Sequence, residues 1–509
     1  MTDTIDALLR LRAAREPDKT AIVDPNQRLS YGELDSTTTD LAAALVMIGV
    51  TKGTRVGLIR PNGVPWVQIA LAVTRIGAVL VPLSTLLTPA ELTSQLQVAS
   101  VQVLISVEEF RGRRYLDHLP RHQDASLPAL RQILTPDQLT TSPDQRAREL
   151  VAAMGSAVAP SDLLLVMFTS GSSGIPKGVQ HSHGNALGAV RASLAPRCID
   201  ADTRLYLPMP FFWVGGFGAG VLSVLLAGAT LVTEPIPQPA TTLALLERER
   251  VTLFRGWPDQ AEALARQRDS IGADLSSLRA GSLEALLPAE LRSRPGARAN
   301  LFGMTESFGP YCGYPADTDM PESAWGSCGR PFEGVDIRIV DPDTGAPLPE
   351  GQTGMIQIRG PHILRGICRR SREDVFTPDG YYPTGDRGRL DDQGFLFYHG
   401  RCDDMFKVSG ATVYPSEVQQ ALRDIDGVRA AFVTNVPGAQ GNRVGAAVVG
   451  TADPQQLRAA AKEMLSSFKV PTVWLVLDDE AVPRGGTGKV NTAALREMLD
   501  QTTRSKENS

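Results

Sequence analysis

Glycines, hydroxyl side chains and a lysine are concentrated in the segment Thr169-Ser-Gly-Ser-Ser-Gly-Ile-Pro-Lys-Gly178. Glycine lets backbone N–H groups turn toward an anion, hydroxyls add donors and the lysine adds positive charge, so the segment predicts a phosphate-binding loop. It differs from a Walker A loop, which requires Ser or Thr directly after the lysine. A flexible Ser/Gly linker is the alternative, but the apolar run before the segment and the helical pattern after it argue against one. The candidate phosphate-binding residues are Thr169, Ser170, Gly171, Ser172, Ser173, Gly174 and Lys177.

Four further segments carry residues that could do chemistry, and they follow this loop in order along the chain. They are Leu301-Phe-Gly-Met-Thr-Glu-Ser307, Tyr381-Tyr-Pro-Thr-Gly-Asp386, Gly400-Arg-Cys-Asp-Asp-Met-Phe-Lys-Val-Ser-Gly410 with Tyr414-Pro-Ser-Glu-Val418, and Pro483-Arg-Gly-Gly-Thr-Gly-Lys489. Together with the loop, they resemble the signature motifs of the adenylate-forming (ANL) superfamily, in its acyl-CoA synthetase branch. The motifs span Thr169 to Lys489, and the α/β pattern before them suits the same fold, so the resemblance covers nearly the whole chain.

The resemblance implies a two-step acid–thiol ligase. A carboxylate is a poor electrophile, so it attacks the α-phosphorus of ATP and becomes an acyl-adenylate, from which a thiol then displaces AMP. Charge gathers on the phosphoryl oxygens during the first step, and stabilising it takes a metal and cationic donors. The implied cofactors are ATP, Mg²⁺ and CoA, and the implied substrate is a small-molecule carboxylic acid.

The same resemblance gives roles to residues of the second and third motifs. Glu306 would hold Mg²⁺ and Thr305 would touch a phosphate oxygen, whereas a helix-capping carboxylate is the alternative for Glu306. The adenine would lie near Asn300, Phe302 and Gly303, and core packing is the alternative for Phe302. Asp386 would accept hydrogen bonds from both ribose hydroxyls with Arg401 nearby; for this pair the alternative is a structural salt bridge.

The last two motifs imply a mobile C-terminal domain. Lys489 would bridge the substrate carboxylate and the α-phosphate during adenylation. Asp403 would be the hinge about which the domain rotates between the two half-reactions. The rotation would withdraw Lys489 and bring Lys407, Ser409 and Gly410 to the adenylate and to CoA; a charged turn is the alternative for Asp403.

The candidate acyl pocket is apolar and aromatic, and its wall is predicted to include Phe212, Trp213, Gly215, Trp257 and Phe308. Trp213 stands where many acyl-CoA synthetases have histidine. Gly215 either opens space for a bulky acid or is a glycine that its loop needs. Such a wall suits a bulky hydrophobic acid, a polycyclic terpenoid acid among the candidates, better than acetate.

One departure from the family pattern leaves alternatives open. In Gly281-Ser-Leu-Glu-Ala-Leu-Leu-Pro288, the side chains of Leu283, Glu284 and Leu286 are expected near the adenine, where family members commonly have bare backbone. The chain could then adenylate weakly and use a preformed acyl-adenylate for thioesterification. It could also load a carrier protein instead of CoA, or bind nucleotide as a non-catalytic regulator.

The elements that must position these residues are visible as local patterns. Ser30-x-x-Glu33 is a capping box that predicts a helix start. Strands predicted at 55–59, 78–82, 101–106 and 163–168 alternate with helices, which is typical of a parallel sheet covered on both faces. From about residue 326 short alternating runs separated by turns predict a small β-barrel, and the pattern after residue 402 predicts a compact α+β domain. The predicted α/β protein therefore has an N-terminal domain over 1–402, with two α/β subdomains over about 1–325 and the barrel over about 326–400. A C-terminal domain over 403–509 follows.

Composition excludes several other classes. Among 509 residues, 42% are hydrophobic and 21% charged, and the net charge is −5, so nothing favours a nucleic-acid partner. There is no run of 18 apolar residues to span a membrane. Five cysteines form no CxxC pair and no even framework, which predicts a cytoplasmic protein. We expect a monomer or a homodimer.

Overall fold

The structure is a computed structural model, and it divides the chain into two compact units. The first unit comprises Met1–Ile337, Ile358–Tyr382 and Gly394–Leu396, and the second comprises Arg338–Gln357, Pro383–Gln393 and Phe397–Ser509. The predicted domain boundary near residue 402 stays a prediction. The described residues are 3–119, 126–139, 143–169, 176–402, 406–408, 411–413, 415–438, 442–465, 469–484 and 490–507.

The α-helices within these residues are α1 (Ile5–Arg15), α2 (Tyr31–Met47), α3 (Val64–Arg75), α4 (Pro89–Val98), α5 (Gln145–Ser156), α6 (His183–Leu194), α7 (Val214–Gly216), α8 (Ser223–Ala227), α9 (Pro239–Arg248), α10 (Pro258–Ile271), α11 (Pro415–Arg423), α12 (Pro454–Met464) and α13 (Thr492–Glu507). A π-helical turn, Phe217–Leu222, joins α7 to α8. None of the described helices is both long enough and apolar enough to cross a bilayer.

The strands are β1 (Thr20–Val23), β2 (Arg28–Ser30), β3 (Arg55–Ile59), β4 (Val79–Pro82), β5 (Val103–Ser106), β6 (Glu109–Phe110), β7 (Arg113–Arg114), β8 (Gln132–Leu134), β9 (Leu163–Thr169), β10 (Lys177–Ser182), β11 (Arg204–Tyr206), β12 (Thr230–Val232), β13 (Leu253–Phe254), β14 (Phe302–Met304), β15 (Gly309–Gly313), β16 (Arg330–Pro331), β17 (Asp336–Val340), β18 (Gly354–Arg359), β19 (Gly366–Ile367), β20 (Tyr382–Leu390), β21 (Leu396–Arg401), β22 (Phe406–Val408), β23 (Ala411–Val413), β24 (Val428–Val436), β25 (Arg443–Gly450) and β26 (Val473–Leu477).

Two large sheets form the frame of the first unit, as the α/β pattern predicts. One has the strand order β13-β11-β12-β1-β2 and the other β19-β10-β9-β4-β3-β5-β8. In the second sheet β8, β5, β3, β4 and β9 run parallel, and the apolar residues of the three inner strands β5, β3 and β4 are buried, as expected for a parallel sheet covered on both faces. A smaller antiparallel sheet, β14-β15-β16, carries Phe302 and the turn that contains Glu306.

One strand of the larger sheet was not predicted. After β9 the chain returns as β10, antiparallel to β9, before α6 begins at His183. The strand is short and polar on one face, with Gln180 half-exposed, so it lacks the continuous apolar run that identifies β9. Its presence puts Lys177 on a sheet and not in a loop.

The second unit contains smaller sheets. Strands of the segment predicted as a β-barrel form a four-stranded sheet in the order β17-β18-β20-β21. Further along, β24-β25-β26 forms a three-stranded sheet, with β24 antiparallel and β26 parallel to β25. Apolar residues of α11 and α12, among them Val418 and Leu457, pack in one cluster with residues of this sheet. The predicted α+β character of this part of the chain is therefore confirmed.

Candidate active site

The candidate phosphate-binding loop connects two antiparallel strands. β9 ends at Thr169 and β10 begins at Lys177, and these two residues pair across the hairpin. The pairing closes the ends of the loop and places both residues at its base. Ser170, Gly171, Ser172, Ser173 and Gly174 lie outside the described residues, so their role stays a prediction.

Glu306 is a buried carboxylate in a single 3₁₀ turn, Thr305–Ser307, that follows β14 directly. Its side chain is 5% exposed. The Lys177 ammonium donates to Oε1 of Glu306, and the Tyr382 hydroxyl donates to the same oxygen at 3.1 Å. No described residue donates a hydrogen bond to Oε2. The ion pair compensates the burial of the charge, and one oxygen is left for a further ligand.

A buried histidine holds the backbone of this turn. Nε2 of His181, in β10, lies 2.8 Å from the carbonyl oxygen of Thr305. Oδ1 of Asn185 accepts from the backbone N–H of Ser182 at 2.6 Å, so its Nδ2 is the donor toward Nδ1 of His181 at 2.7 Å. The proton is therefore on Nε2 and is donated to Thr305. Sequence reasoning missed His181 and Asn185, for which the only local signal is their position just after the loop motif.

Two buried histidines make the stability of the protein depend on pH. Burial lowers the pKa of His181 to about 4, and burial also lowers that of His183 to about 4. Because both values lie below the ordinary 6.5, the unfolded chain binds protons that the folded chain does not. The stability these groups contribute is complete above pH 6.5 and is lost as the pH falls toward 4, by about 3 kcal/mol for each histidine.

We expect the free energy of unfolding to fall steeply between pH 6.5 and 4 in the wild type. The fall should be shallower in His181→Gln and in His183→Gln. Urea titrations at several pH values measure it, and His118→Gln, which changes an exposed histidine, is the control. Equal pH slopes in all four proteins would contradict the assignment.

The candidate adenine residues lie at and before β14. Asn300 is exposed, and its backbone N–H donates to the carbonyl of Ser327 at 3.2 Å. Phe302 is half-buried, and its ring meets that of Tyr311 edge to face at 5.4 Å. Gly303 is required by packing, since a Cβ there would lie 2.1 Å from the carbonyl oxygen of Gly309. Packing alone therefore explains why residue 303 is glycine, whether or not a nucleotide binds there.

The candidate ribose-binding pair lies in the second unit. Arg401 Nη1 donates to Oδ1 of Asp386 and to the carbonyl oxygen of Thr384, each at 3.3 Å. Gly385, which lies between Thr384 and Asp386 in the chain, has φ +75°, and a Cβ on it would lie 2.7 Å from Nη2 of Arg401. The side chain of Asp386 is 10% exposed and that of Arg401 is 40% exposed, so this ion pair contributes little to stability.

The residues predicted for domain rotation are mostly not described. Lys489, Asp403, Ser409 and Gly410 lie outside the described residues. Lys407 lies in β22, where its backbone pairs with Thr412 of β23. Their roles remain predictions.

The aromatic residues predicted for the acyl pocket form a cluster in the first unit. The Trp213 ring meets Phe212 edge to face at 5.4 Å and Trp257 edge to face at 6.1 Å. Asn62 fixes the segment before Trp213, because its Nδ2 donates to the carbonyl of Met209 and its Oδ1 accepts from the N–H of Phe211, both at 2.9 Å. Sequence reasoning missed Asn62.

Two of the predicted pocket residues are tightly packed. A Cβ on Gly215 would lie 2.7 Å from Sδ of Met209, a contact that this flexible side chain can relieve, whereas a Cβ on Gly216 would lie 2.1 Å from the backbone carbonyl oxygen of Pro210. Phe308 is buried, and its ring meets His181 edge to face at 4.8 Å. Within the first unit, these contacts show Gly215 packed against Met209 and Phe308 packed against His181.

The expectation that side chains of the segment 281–288 lie near the adenine is wrong for Leu286, which is buried, and stays a prediction for Leu283 and Glu284. Leu286 is buried in a hydrophobic cluster with Tyr206 and Phe254, and Leu283 packs against it. Glu284 instead accepts hydrogen bonds from the backbone N–H and the hydroxyl of Ser293, at 2.9 and 2.8 Å. The strand β13 beside the segment supplies this apolar surface, which local sequence does not reveal.

Comparisons with known proteins identify the family of the chain. The family model described as AMP-binding enzyme matches residues 9–368. The chain is 34% identical to a 3-(7a-methyl-1,5-dioxo-octahydro-inden-4-yl)propanoyl:CoA ligase of Mycobacterium tuberculosis, over 97% of this chain and 99% of the relative. It is 32% identical to a feruloyl-CoA synthase of Amycolatopsis, over 95% and 97%. Among solved structures, ATP-bound MatB from Rhodopseudomonas palustris is similar with a TM-score of 0.78 and 25% identity, over 98% of this chain and 99% of that one.

Proposed function

Because the chain belongs to the AMP-binding enzymes and is an AMP-forming acid–thiol ligase, we propose that it activates a bulky, ring-bearing carboxylic acid and transfers it to CoA. A carboxylate oxygen attacks the α-phosphorus of ATP, the bond to the bridging oxygen breaks and pyrophosphate leaves. The CoA sulfur then attacks the acyl carbon, its proton is lost and AMP leaves. The observation that carries the proposal is the buried Glu306, with one oxygen held by Lys177 and Tyr382 and the other accepting no hydrogen bond from a described residue.

The residues around Glu306 fit a magnesium ion. Carboxylate oxygens are ligands that Mg²⁺ prefers, and the ion is commonly held by one or two carboxylates together with substrate phosphates. Among the described residues no group of three or more His, Cys, Asp or Glu side chains could hold a metal without such a substrate. Glu306 would hold the ion through Oε2, and when bound the ion would neutralise charge on the phosphate oxygens.

Lys177 and Asp386 support the nucleotide in this proposal. Lys177 lies at the base of the candidate phosphate-binding loop, and the third donor of its ammonium can bond to a phosphate while the other two stay on Glu306 and Tyr382. The carboxylate of Asp386 would accept hydrogen bonds from the ribose hydroxyls, and the backbone N–H of this residue donates to Oγ1 of Thr384 at 3.0 Å. We place the reaction in the cytoplasm, because none of the five cysteines forms a disulfide bond.

Two observations support a ring-bearing acid. The edge-to-face cluster of Phe212, Trp213 and Trp257 offers apolar faces and polarised ring edges to another ring. The two relatives described above are named for a fused-ring propanoyl group and for a feruloyl group. The burial of Leu286 in the core, away from a nucleotide, supports an enzyme that makes its own adenylate.

A panel of carboxylic acids, scored separately for AMP release and for CoA thioester, tests the proposal. We expect both products with ring-bearing acids and neither with acetate. A second arm replaces CoA with a carrier protein in its pantetheinylated form. Thioester on the carrier alone, or AMP release with acetate in preference to every ring-bearing acid, would contradict the proposal.

Trp213→Ala should reduce selectivity for ring-bearing acids. Loss of one aromatic contact surface should lower kcat/KM for the preferred ring-bearing acid about tenfold relative to a short straight-chain acid. Trp325→Ala is the control, since Trp325 is also half-buried in the first unit but bonds to the carbonyl of Met320. The ratio of the two kcat/KM values does not depend on the fraction of folded enzyme. An unchanged ratio would remove Trp213 from the acyl pocket.

A further inference from the structure

The side chains of Tyr382, Lys177 and Glu306 are hydrogen-bonded to one another in a closed cycle. Its hydroxyl accepts from the Lys177 ammonium at 2.5 Å and donates to Oε1 of Glu306 at 3.1 Å, while Lys177 donates to the same Oε1. The ammonium also lies 5.1 Å from the centre of the Tyr382 ring. All three residues are in the first unit. Each polar atom of this cycle contacts the other two, so the position of one constrains the others.

We propose that Tyr382 is a positioning residue for adenylation, which keeps Lys177 on one oxygen of Glu306 and so keeps the other oxygen available to a divalent metal ion. The proposal rests on the proposed function, in which Glu306 holds that ion. The observation behind it is the position of the Tyr382 hydroxyl, which gives the Lys177 ammonium a second acceptor on the Oε1 side of the carboxylate.

The physical argument concerns where an ammonium goes without this acceptor. An ammonium beside a buried carboxylate is attracted to both oxygens, because each carries about half of the negative charge. With the Tyr382 hydroxyl present, two of its donors are used at Oε1 and Oη. Without the hydroxyl, Lys177 would satisfy a donor by moving toward Oε2, where it would compete with the metal. The chain would then need more metal to adenylate.

The neighbouring Tyr381 is a matched control. Both tyrosines are 6% exposed, and both rings lie near a cation, Lys177 for Tyr382 and Arg359 for Tyr381. The Tyr381 hydroxyl, however, donates to Oδ2 of Asp336 at 2.5 Å and has no described contact with Glu306. Tyr381→Phe and Tyr382→Phe therefore remove the same atom from two similar environments.

The test measures metal dependence in both variants and the wild type. Binding of Mn²⁺ with ATP, without acid, is followed by electron paramagnetic resonance, and the Mg²⁺ concentration for half-maximal pyrophosphate exchange is measured with an active acid. We expect Tyr382→Phe to need about tenfold more of either metal, as loss of a hydrogen bond to a charged group predicts. Tyr381→Phe should match the wild type. Thioester formation from a synthetic acyl-adenylate should be unchanged in both.

Equal metal dependence in Tyr382→Phe and Tyr381→Phe would overturn the inference. If Tyr382→Phe does not fold, Tyr382→Leu replaces it, and wild-type metal dependence in that variant would overturn the inference equally. Failure of the proposed function has a different signature, because a wild type that exchanges no pyrophosphate with any acid still reports Mn²⁺ and ATP binding. The two failures are thereby distinguished.

Discussion

Glu306→Gln lowers acyl-adenylate formation by about 10²–10⁴-fold, the range expected when a charged group that stabilises the transition state is removed. The amide is nearly the same size, so packing around the buried turn is kept. It has no negative charge to hold a divalent ion or to balance Lys177. Pyrophosphate exchange measures this step, and thioester formation from a synthetic acyl-adenylate should change much less.

Glu234→Gln is the matched control for this prediction. Glu234 is also buried in the first unit, and its Oε1 accepts from the hydroxyls of Tyr206 and Thr242, both at 2.6 Å. Burial raises the pKa of Glu234, and the amide oxygen of a glutamine could still accept from both hydroxyls. We expect near wild-type exchange in Glu234→Gln. A similar loss in both variants would mean that Glu306 acts only through the stability of the fold.

Lys489→Ala should also reduce adenylation about 10²–10⁴-fold, because a cation that neutralises developing charge contributes mainly to the transition state. The two ends of the segment that carries Lys489 are close, since the backbones of Arg484 and Val490 form an antiparallel bridge. Thioester formation from a synthetic acyl-adenylate should be largely kept, because it needs no attack on phosphorus.

The control for this second prediction is Lys462→Ala, which removes an exposed lysine from α12 in the same unit. Both half-reactions should be unaffected in it. If Lys489→Ala lost the two half-reactions equally, Lys489 would not be specific to adenylation. If it lost neither, its assigned role would be wrong.

The sequence by itself determined the elements that depend on neighbours in the chain. Ser30 and Glu33 form the predicted capping box, with each side chain bonded to the other residue's backbone N–H. The predicted strand 55–59 is β3, and the predicted strand 163–168 is β9, which ends one residue later. These succeed because caps, turns and apolar periodicity act within a few residues. The motifs also selected Lys177, Glu306 and Asp386 as candidate site residues through residue type and order, and their roles stay predictions.

Only the tertiary structure decided which of these side chains meet. Tyr382 lies 205 residues from Lys177 along the chain, and His181 lies 124 residues from Thr305. Such contacts depend on the register of β10 against β9 and on which face each side chain takes, and a shift of one residue would reverse every face. For the same reason the burial of Leu286 was not predicted, since the apolar cluster that receives this side chain is assembled from β11, β13 and α10. Local pattern fixes what an element is, whereas its partners follow from packing over the whole unit.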